Sequence, residues 1–336
     1  MPRLSVVVVS WNAADRLPAM LAGLREQDVD DLELVVVDNA SVDGSIEVVE
    51  AQWPTAVIER LDRNSGFAAA ASRGFELSSG EAVALLNYDV VLGPGYYERC
   101  LHELAARPDL GSVQGLLLRP GGRAVDSAGH SVSRGRWFRN RGENRPAPAG
   151  GLVPADVFGV TGAAGVYRRA MLVDVSEVTG GLFDPIFFAY LEDVDLDYRA
   201  RWRGWESAVV DGATGEHERS GSGARRRPEI QRHIVKNRLL VLYRNESLGL
   251  LLADLPWVAG QLLARLAVAA ATAPVSLLGV VDFLRSIPSQ RAARRAIRAS
   301  RRVEPAAMRS WLREGGGNGG FGTRTRDAAP PARPRA

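Results

Sequence analysis

Val37-Asp38-Asn39-Ala40-Ser41-Val42-Asp43-Gly44-Ser45 follows the apolar run Leu32–Val37 and leads into a helical pattern beginning near Ile46. The run reads as a buried strand, and Asp43 and Ser45 are the residue types that cap the start of a helix. Asp38 therefore stands at the carboxyl end of a strand, just before a tight turn. In open α/β sheets ligands bind outside that end of the strands. A carboxylate placed there can accept hydrogen bonds from the imide of a pyrimidine base or from a ribose hydroxyl.

Working outward, the same alternation repeats on both sides. Leu4–Val9 is followed by the helical pattern Leu17–Leu24, Ala56–Leu61 by Phe67–Leu77, and Ala82–Leu86 closes the series. Strands alternating with helices imply βαβ units and a mostly parallel sheet flanked by helices, an α/β fold. Polar residues gather at the strand ends: Ser10, Trp11 and Asn12, then Asp38 and Asn39, then Asn64 to Gly66, then Asn87 and Asp89. Four strand ends facing one crevice make a binding site. The first strand is followed by Ser-Trp-Asn instead of a Gly-x-Gly-x-x-Gly turn, which argues against a dinucleotide-binding oxidoreductase.

The chain has 336 residues, 46% of them apolar, enough for one large domain with an appendage. Cys100 is the only cysteine, so no intrachain disulfide forms, and a reducing cytoplasm is the expected setting. The short apolar run Leu4–Val9 reads as a strand and not as an export signal. The net charge is only +3, but Arg285 to Arg313 is crowded with arginine. That enrichment, with Lys236 as the sole lysine, is no argument for nucleic-acid binding.

Between Arg119 and Pro154 the chain is rich in Gly, Pro and Arg, and reads as a long ordered loop covering the site. Leu191, Val194, Tyr198, Trp202 and Trp205 recur at helical spacing behind Glu192 and Asp193. On that helix Asp195/Arg199 and Asp197/Arg201 are spaced as i,i+4 ion pairs. After Tyr243 the leucines from Leu248 to Leu266 form an apolar stripe, and the uncharged stretch bracketed by Arg265 and Asp282 is shorter than the ~20 residues of a membrane span and is interrupted by Pro274. The expected organisation is a catalytic domain at 1–245, amphipathic membrane-associating helices at 246–288, and a basic, partly disordered tail at 289–336. The last includes Gly315–Gly320 and Ala328–Ala336.

Five segments together resemble the family 2 glycosyltransferases of the GT-A fold, in the branch of bacterial rhamnosyltransferases. They are Ser5–Asn12, Asp38–Ser45, Asn64-Ser-Gly-Phe67, Leu85-Leu-Asn-Tyr-Asp89 and Tyr190-Leu-Glu-Asp-Val-Asp195, in family order over about residues 4 to 245. The resemblance implies a nucleotide-sugar donor held by Ser10, Trp11, Asn12, Asp38, Asn39, Asn64, Gly66, Phe67, Asn87 and Asp89. Lys236 and Arg238 are expected near its diphosphate. Asn87-Tyr88-Asp89 stands where the fold carries its metal motif, Asn87 replacing the first aspartate. Asp89 and His217 are the implied ligands of Mg2+ or Mn2+.

The acidic pair Glu192-Asp193 matches the position of the catalytic base. Asp193 is the candidate base and Glu192 the residue that positions the acceptor, with Trp137 as a further acceptor contact. Gly162-Ala-Ala-Gly165 resembles, more loosely, a stretch that admits the donor sugar.

The resulting expectation is an inverting transfer of a sugar, L-rhamnose from dTDP-rhamnose, to a lipid-linked or cell-surface glycan acceptor. It would take place in the cytoplasm, on the inner face of the cell membrane, with the apolar stripe and the arginines after it on an anionic surface. A UDP-hexose donor, a noncatalytic glycan-binding protein, and use of the apolar stripe as a homodimer contact remain open alternatives.

Overall fold

The computed structural model describes residues 2–149, 151–219 and 227–314. Its first half realises the alternation read above. β1 (Leu4–Ser10), α1 (Leu17–Arg25), β2 (Leu32–Asp38), α2 (Ser45–Gln52), β3 (Val57–Arg60), α3 (Phe67–Leu77) and β4 (Ala82–Asn87) succeed one another as βα units. β1 pairs in parallel with both β2 and β4, and β2 with β3. The register sets Ser10 beside Asp38 and Val9 beside Asn87, so the three polar strand ends lie side by side.

Each central strand is buried on both faces, which is why it reads as an unbroken apolar run. Successive side chains point to opposite sides. Val6, Val8, Leu34, Val36, Ala84 and Leu86 enter one core beneath α1 and α2, while Val7, Val9, Val35, Val37, Val83 and Leu85 enter the other beneath α3. α1 buries Leu17, Met20, Leu21 and Leu24, one stripe of a helix, onto the first core.

The chain continues through β5 (Val90–Leu92), α4 (Tyr96–Ala106), β6 (Leu110–Leu118), β7 (Val125–Ser127), β8 (His130–Val132), β9 (Phe138–Asn140), β10 (Ala155–Asp156), β11 (Val166–Arg168), α5 (Arg169–Thr179), α6 (Glu192–Arg203) and β12 (Glu206–His217), with β8 and β9 forming a separate two-stranded sheet. The order is β10-β12-β6-β11-β4-β1-β2-β3, with β5 on β12 and β7 on β6. β6 and β12 run with β1 to β4, whereas β11 is inserted antiparallel between β4 and β6. The sheet is thus mostly parallel, as expected, with a mixed second half.

The segment expected as a long covering loop is built around the β8–β9 hairpin, and it buries Asp126, His130, Arg136 and Phe138. C-terminal to the sheet lie α7 (Pro228–Asn245), α8 (Leu248–Ala253), α9 (Leu255–Thr272), α10 (Leu278–Ala299) and α11 (Pro305–Glu314). Part of the expected basic tail is therefore folded: residues 289–314 are largely helical, and Ile297, Met308 and Leu312 are buried in the second core. Apolar side chains spaced along α10 and α11 give these arginine-rich helices a packing face. The expectation for 315–336 falls outside the described residues. α9 is long and apolar enough to cross a membrane by length and composition alone, and only 6% of it is buried.

Candidate active site

Asp38 ends β2 with its carboxylate buried. Oδ2 accepts the Ser41 N–H at 3.1 Å, while Oδ1 has no partner among the described residues. Its neighbour across the register, Ser10, likewise has a buried hydroxyl without a partner. An unsatisfied buried carboxylate oxygen is costly unless something donates to it, so this strand end is built to receive a donor. A cavity of about 430 Å³ opens beside it, lined by Asp38, Ser41, Gly44, Arg60 and Leu61 among others.

The other polar strand ends hold the loops around this cavity. Asn12, at φ 49°, accepts the Val42 N–H through Oδ1 at 2.9 Å, and its own N–H donates to Ser41 Oγ. Asn39 accepts the Ser65 N–H at 2.8 Å and donates to Asn64 Oδ1 at 3.0 Å, which also accepts the Gly66 N–H. Trp11 is exposed beyond β1. Gly66 has φ +83°, and a Cβ there would stand 2.5 Å from Phe188, so only glycine fits. Phe67 opens α3 directly after it.

Asp89 meets His217 because β12 pairs antiparallel with β5: His217 lies opposite Val90, and the Glu218 N–H donates to the Asp89 carbonyl at 3.0 Å. His217 Nε2 is 3.3 Å from Asp89 Oδ1, and its Nδ1 is 2.8 Å from Asp126 Oδ2. Burial alone would draw the proton off His217, but the two carboxylates push its pKa up. A carboxylate that orients an imidazole so that its other nitrogen faces a second carboxylate is a donor set suited to a divalent ion. No group of three or more such ligands occurs among the described residues.

Asp193 sits in the first turn of α6. Its Oδ2 accepts the Gly162 N–H at 3.1 Å and its Oδ1 the Val194 N–H at 2.8 Å. One residue on, the Ala163 carbonyl accepts the Asn87 N–H at 2.9 Å, which joins Asp193 to the Asp89 strand end. A Cβ on Gly162 would lie 3.7 Å from the Phe67 ring and 3.8 Å from Asp193 Cβ, in ordinary contact with both, so Gly162 stands between the two side chains.

The turn before α6 is held under constraint. Phe188, Tyr190 and Leu191 all have positive φ, which costs each of them energy. Asn237 offsets this with one amide group, donating to the carbonyls of Phe187, Ala189 and Tyr190 at 2.8, 2.9 and 2.7 Å.

Several of the side chains singled out in the sequence meet partners that their spacing did not indicate. Lys236, expected at the diphosphate, donates its amine to the Ile186 carbonyl and braces that same turn. Arg238 lies 3.7 Å over the Trp137 ring, and Arg265 lies 3.4 Å from it, so Trp137 is stacked between guanidiniums. Asp197 and Arg201 do not pair. Arg201 turns to Glu206 and to the Phe158 carbonyl, and Asp197 takes the imidazole of His130 at 2.7 Å. A tertiary partner is closer than the helical neighbour. His130 carried no sequence signal of its own, being one histidine in a loop-rich stretch.

The family model of glycosyl transferase family 2 matches residues 5–172. The chain belongs to this family. It is a glycosyltransferase of the GT-A fold. It is 27% identical over 252 residues to an N-acetylglucosaminyl-diphospho-decaprenol L-rhamnosyltransferase of Mycobacterium tuberculosis, covering 66% of this chain and 78% of that protein. A mannosyltransferase of Pyrobaculum calidifontis in complex with GDP-Man and Mn2+ superposes with a TM-score of 0.52 at 20% identity, over 89% of this chain and 86% of that one. S. aureus TarS 1-349 gives 0.55 at 16%, over 92% of each chain.

Proposed function

We propose that this transferase moves L-rhamnose from dTDP-rhamnose, with inversion, to a lipid-linked or cell-surface glycan acceptor. The observation that carries the reading is the gathering of three kinds of group at neighbouring strand ends: the Asp38 oxygen without a partner among the described residues, the Asp89/His217 pair, and Asp193 bonded to the Gly162 N–H. The relative named as a rhamnosyltransferase supports the donor.

In this reading Asp38 and Ser10 receive the nucleoside. Asp89 and His217 hold Mg2+ or Mn2+, which when bound offsets the charge growing on the leaving nucleoside diphosphate. Asp193 takes the acceptor hydroxyl's proton as that oxygen attacks the anomeric carbon opposite the diphosphate. Gly162 and Phe67 shape the place of the sugar, and Glu192 positions the acceptor. A panel of dTDP-, UDP- and GDP-sugars scored for nucleoside diphosphate release tests the donor. Preference for dTDP-rhamnose supports it, and preference for a UDP-hexose replaces it within the same reaction.

The metal pair has its own test. His217→Ala is expected to weaken Mn2+ binding at least about tenfold, read by Mn2+ electron paramagnetic resonance with dTDP present. Unchanged affinity removes His217 from the set.

Leu252 and Leu263 are 60% and 65% exposed, in line with Leu255, Trp257, Val268 and Leu284 on the same C-terminal helices. Exposed apolar side chains gathered on consecutive helices suit a membrane or protein contact, and the neighbouring arginines favour an anionic membrane on the cytoplasmic side. The Trp137 stack joins this surface to the catalytic domain, because Arg265 belongs to α9 and Arg238 to α7. The full chain carrying Leu252→Glu and Leu263→Glu is expected to lose most of its flotation with vesicles containing anionic lipid. Equal flotation, or loss of a dimer in its place, would reassign the surface.

A further inference from the structure

His130 opens β8 and is pinned to the neighbouring segment: its N–H donates to the Gly159 carbonyl at 2.8 Å and its carbonyl accepts the Phe158 N–H at 3.2 Å. Its imidazole is buried between two carboxylates of α6. Nδ1 is 2.7 Å from Asp197 Oδ2, and Nε2 is 3.6 Å from Asp193 Oδ2. A neutral imidazole donates through only one nitrogen, so a ring with a carboxylate on each side matches the doubly protonated cation.

The surroundings are shaped for this contact. Asp197 Oδ1 accepts the Val160 N–H at 3.2 Å, and a Cβ on Gly159 would fall within 1.8 to 2.1 Å of the Asp197 carboxyl. Any other residue at 159 would push Asp197 away from His130. A surface ion pair would not need a glycine cleared for it.

We propose that His130 is a positioning residue for the base: as an imidazolium bridging Asp197 and Asp193, it fixes the orientation of the Asp193 carboxylate and balances its negative charge. This inference rests on the reading of Asp193 as the base. His130 keeps its proton throughout the reaction, and the acceptor's proton goes to Asp193. Losing that proton would leave Asp193 facing Asp197 and Glu192 without a counter-charge.

The charge state agrees with the geometry. Burial alone would strip the ring of its proton, but the charge of Asp193, the hydrogen bond and charge of Asp197, and the charge of Glu192 push its pKa up to about 9. Tyr167 on β11 faces the same carboxylates, and burial keeps its phenol neutral.

Ring nitrogen NMR of the 15N-labelled full chain, with the His130 signal identified by its absence in His130→Asn, reads this directly without substrate. His130 is expected to stay doubly protonated through neutral pH, and in Asp193→Asn the midpoint of its titration is expected to fall by about one pH unit or more. A midpoint near that of an ordinary histidine, or one that Asp193→Asn does not move, overturns the proposal.

Kinetics with the donor chosen by the sugar panel supply the second arm. His130→Asn retains an amide near the place of Nδ1 but nothing at Nε2. It is expected to lower kcat at least about tenfold with donor KM unchanged, and His130→Gln, whose amide reaches toward Asp193, is expected to recover part of the loss. If Asp193→Asn is inactive and His130→Asn is unimpaired, the base stands and His130 has no such role. If Asp193→Asn is fully active, the base assignment itself fails. Should His130→Asn not fold, the His130 signal is assigned by elimination, through single substitutions of the three other histidines, His102, His217 and His233, and the wild-type and Asp193→Asn titrations still decide.

Discussion

Asp193→Asn is expected to reduce kcat by roughly 10²- to 10⁴-fold, with donor affinity close to wild type. The substitution keeps the size of the side chain and an oxygen able to accept the Gly162 N–H, but removes the capacity to take a proton. In the proposed function donor contacts reside elsewhere, on Asp38 and on the Asp89/His217 pair, so binding and chemistry are expected to separate in the measurement. Turnover by nucleoside diphosphate release gives kcat, and equilibrium binding of the nucleotide sugar gives affinity. Activity unchanged in Asp193→Asn would show that the base lies elsewhere, with Glu192 the next candidate. Loss of donor affinity together with kcat would instead place Asp193 in the donor site. The effect is expected to be large because its location is so tightly fixed: three positive-φ residues precede α6, and Asn237 ties their turn down with three hydrogen bonds.

How much of this was legible in the sequence depends on how far apart in the chain the interacting residues lie. Asp38, Asn39 and Asn87 were found because strand ends are local features, and parallel register then aligns them without further information. Asp89 and His217 are 128 positions apart, and only the antiparallel pairing of β5 with β12 joins them; family order, not any local pattern, pointed to the histidine. Lys236 and Trp137 show the limit of residue type as a guide. Residue type invites roles in binding for a lysine and a tryptophan, but it does not reveal their partners within the fold, a backbone carbonyl and two guanidiniums.

The helix pairs teach the same lesson. Asp195/Arg199 forms as spaced, at 2.9 Å, but it is wholly buried, whereas Asp197/Arg201 yields to tertiary partners. The helical packing of the arginine-rich segment was not legible, because its charge dominates the sequence and its few apolar residues, Ile297, Met308 and Leu312, share one core only in the fold.

The buried Asp195 carries the largest expected effect on stability. It accepts from Arg199 Nε at 2.9 Å, Arg244 Nε at 2.9 Å and Asn245 Nδ2 at 2.8 Å, all inside the protein. Asp195→Ala would leave two buried guanidiniums short of their shared counter-charge, and breaking such a group costs about 3–5 kcal/mol. Asp184 also pairs with Arg244, at 2.6 Å, but it does not replace the partner of Arg199. Chemical denaturation followed by circular dichroism measures the loss, and a change within about 0.5 kcal/mol of wild type would show that the two arginines find other partners.

The pH dependence has a definite sign. Burial alone would raise the Asp195 pKa, but Arg244 and Arg199 hold it below the usual carboxylate range. Its contribution is therefore present above the unfolded carboxylate's pKa of about 4 and is lost as pH falls through the lower folded value. Wild type is expected to lose more stability than Asp195→Asn on acidification below pH ~4. Arg244 also contacts Gln290 of α10, so the same carboxylate ties α6 to α7 and, through α7, to the C-terminal helices. Asp195 lies two residues from Asp193. Loosening of this network is thus expected to reach the base before the protein unfolds, with kcat of Asp195→Asn falling on warming at a temperature where its circular dichroism is still that of the native state.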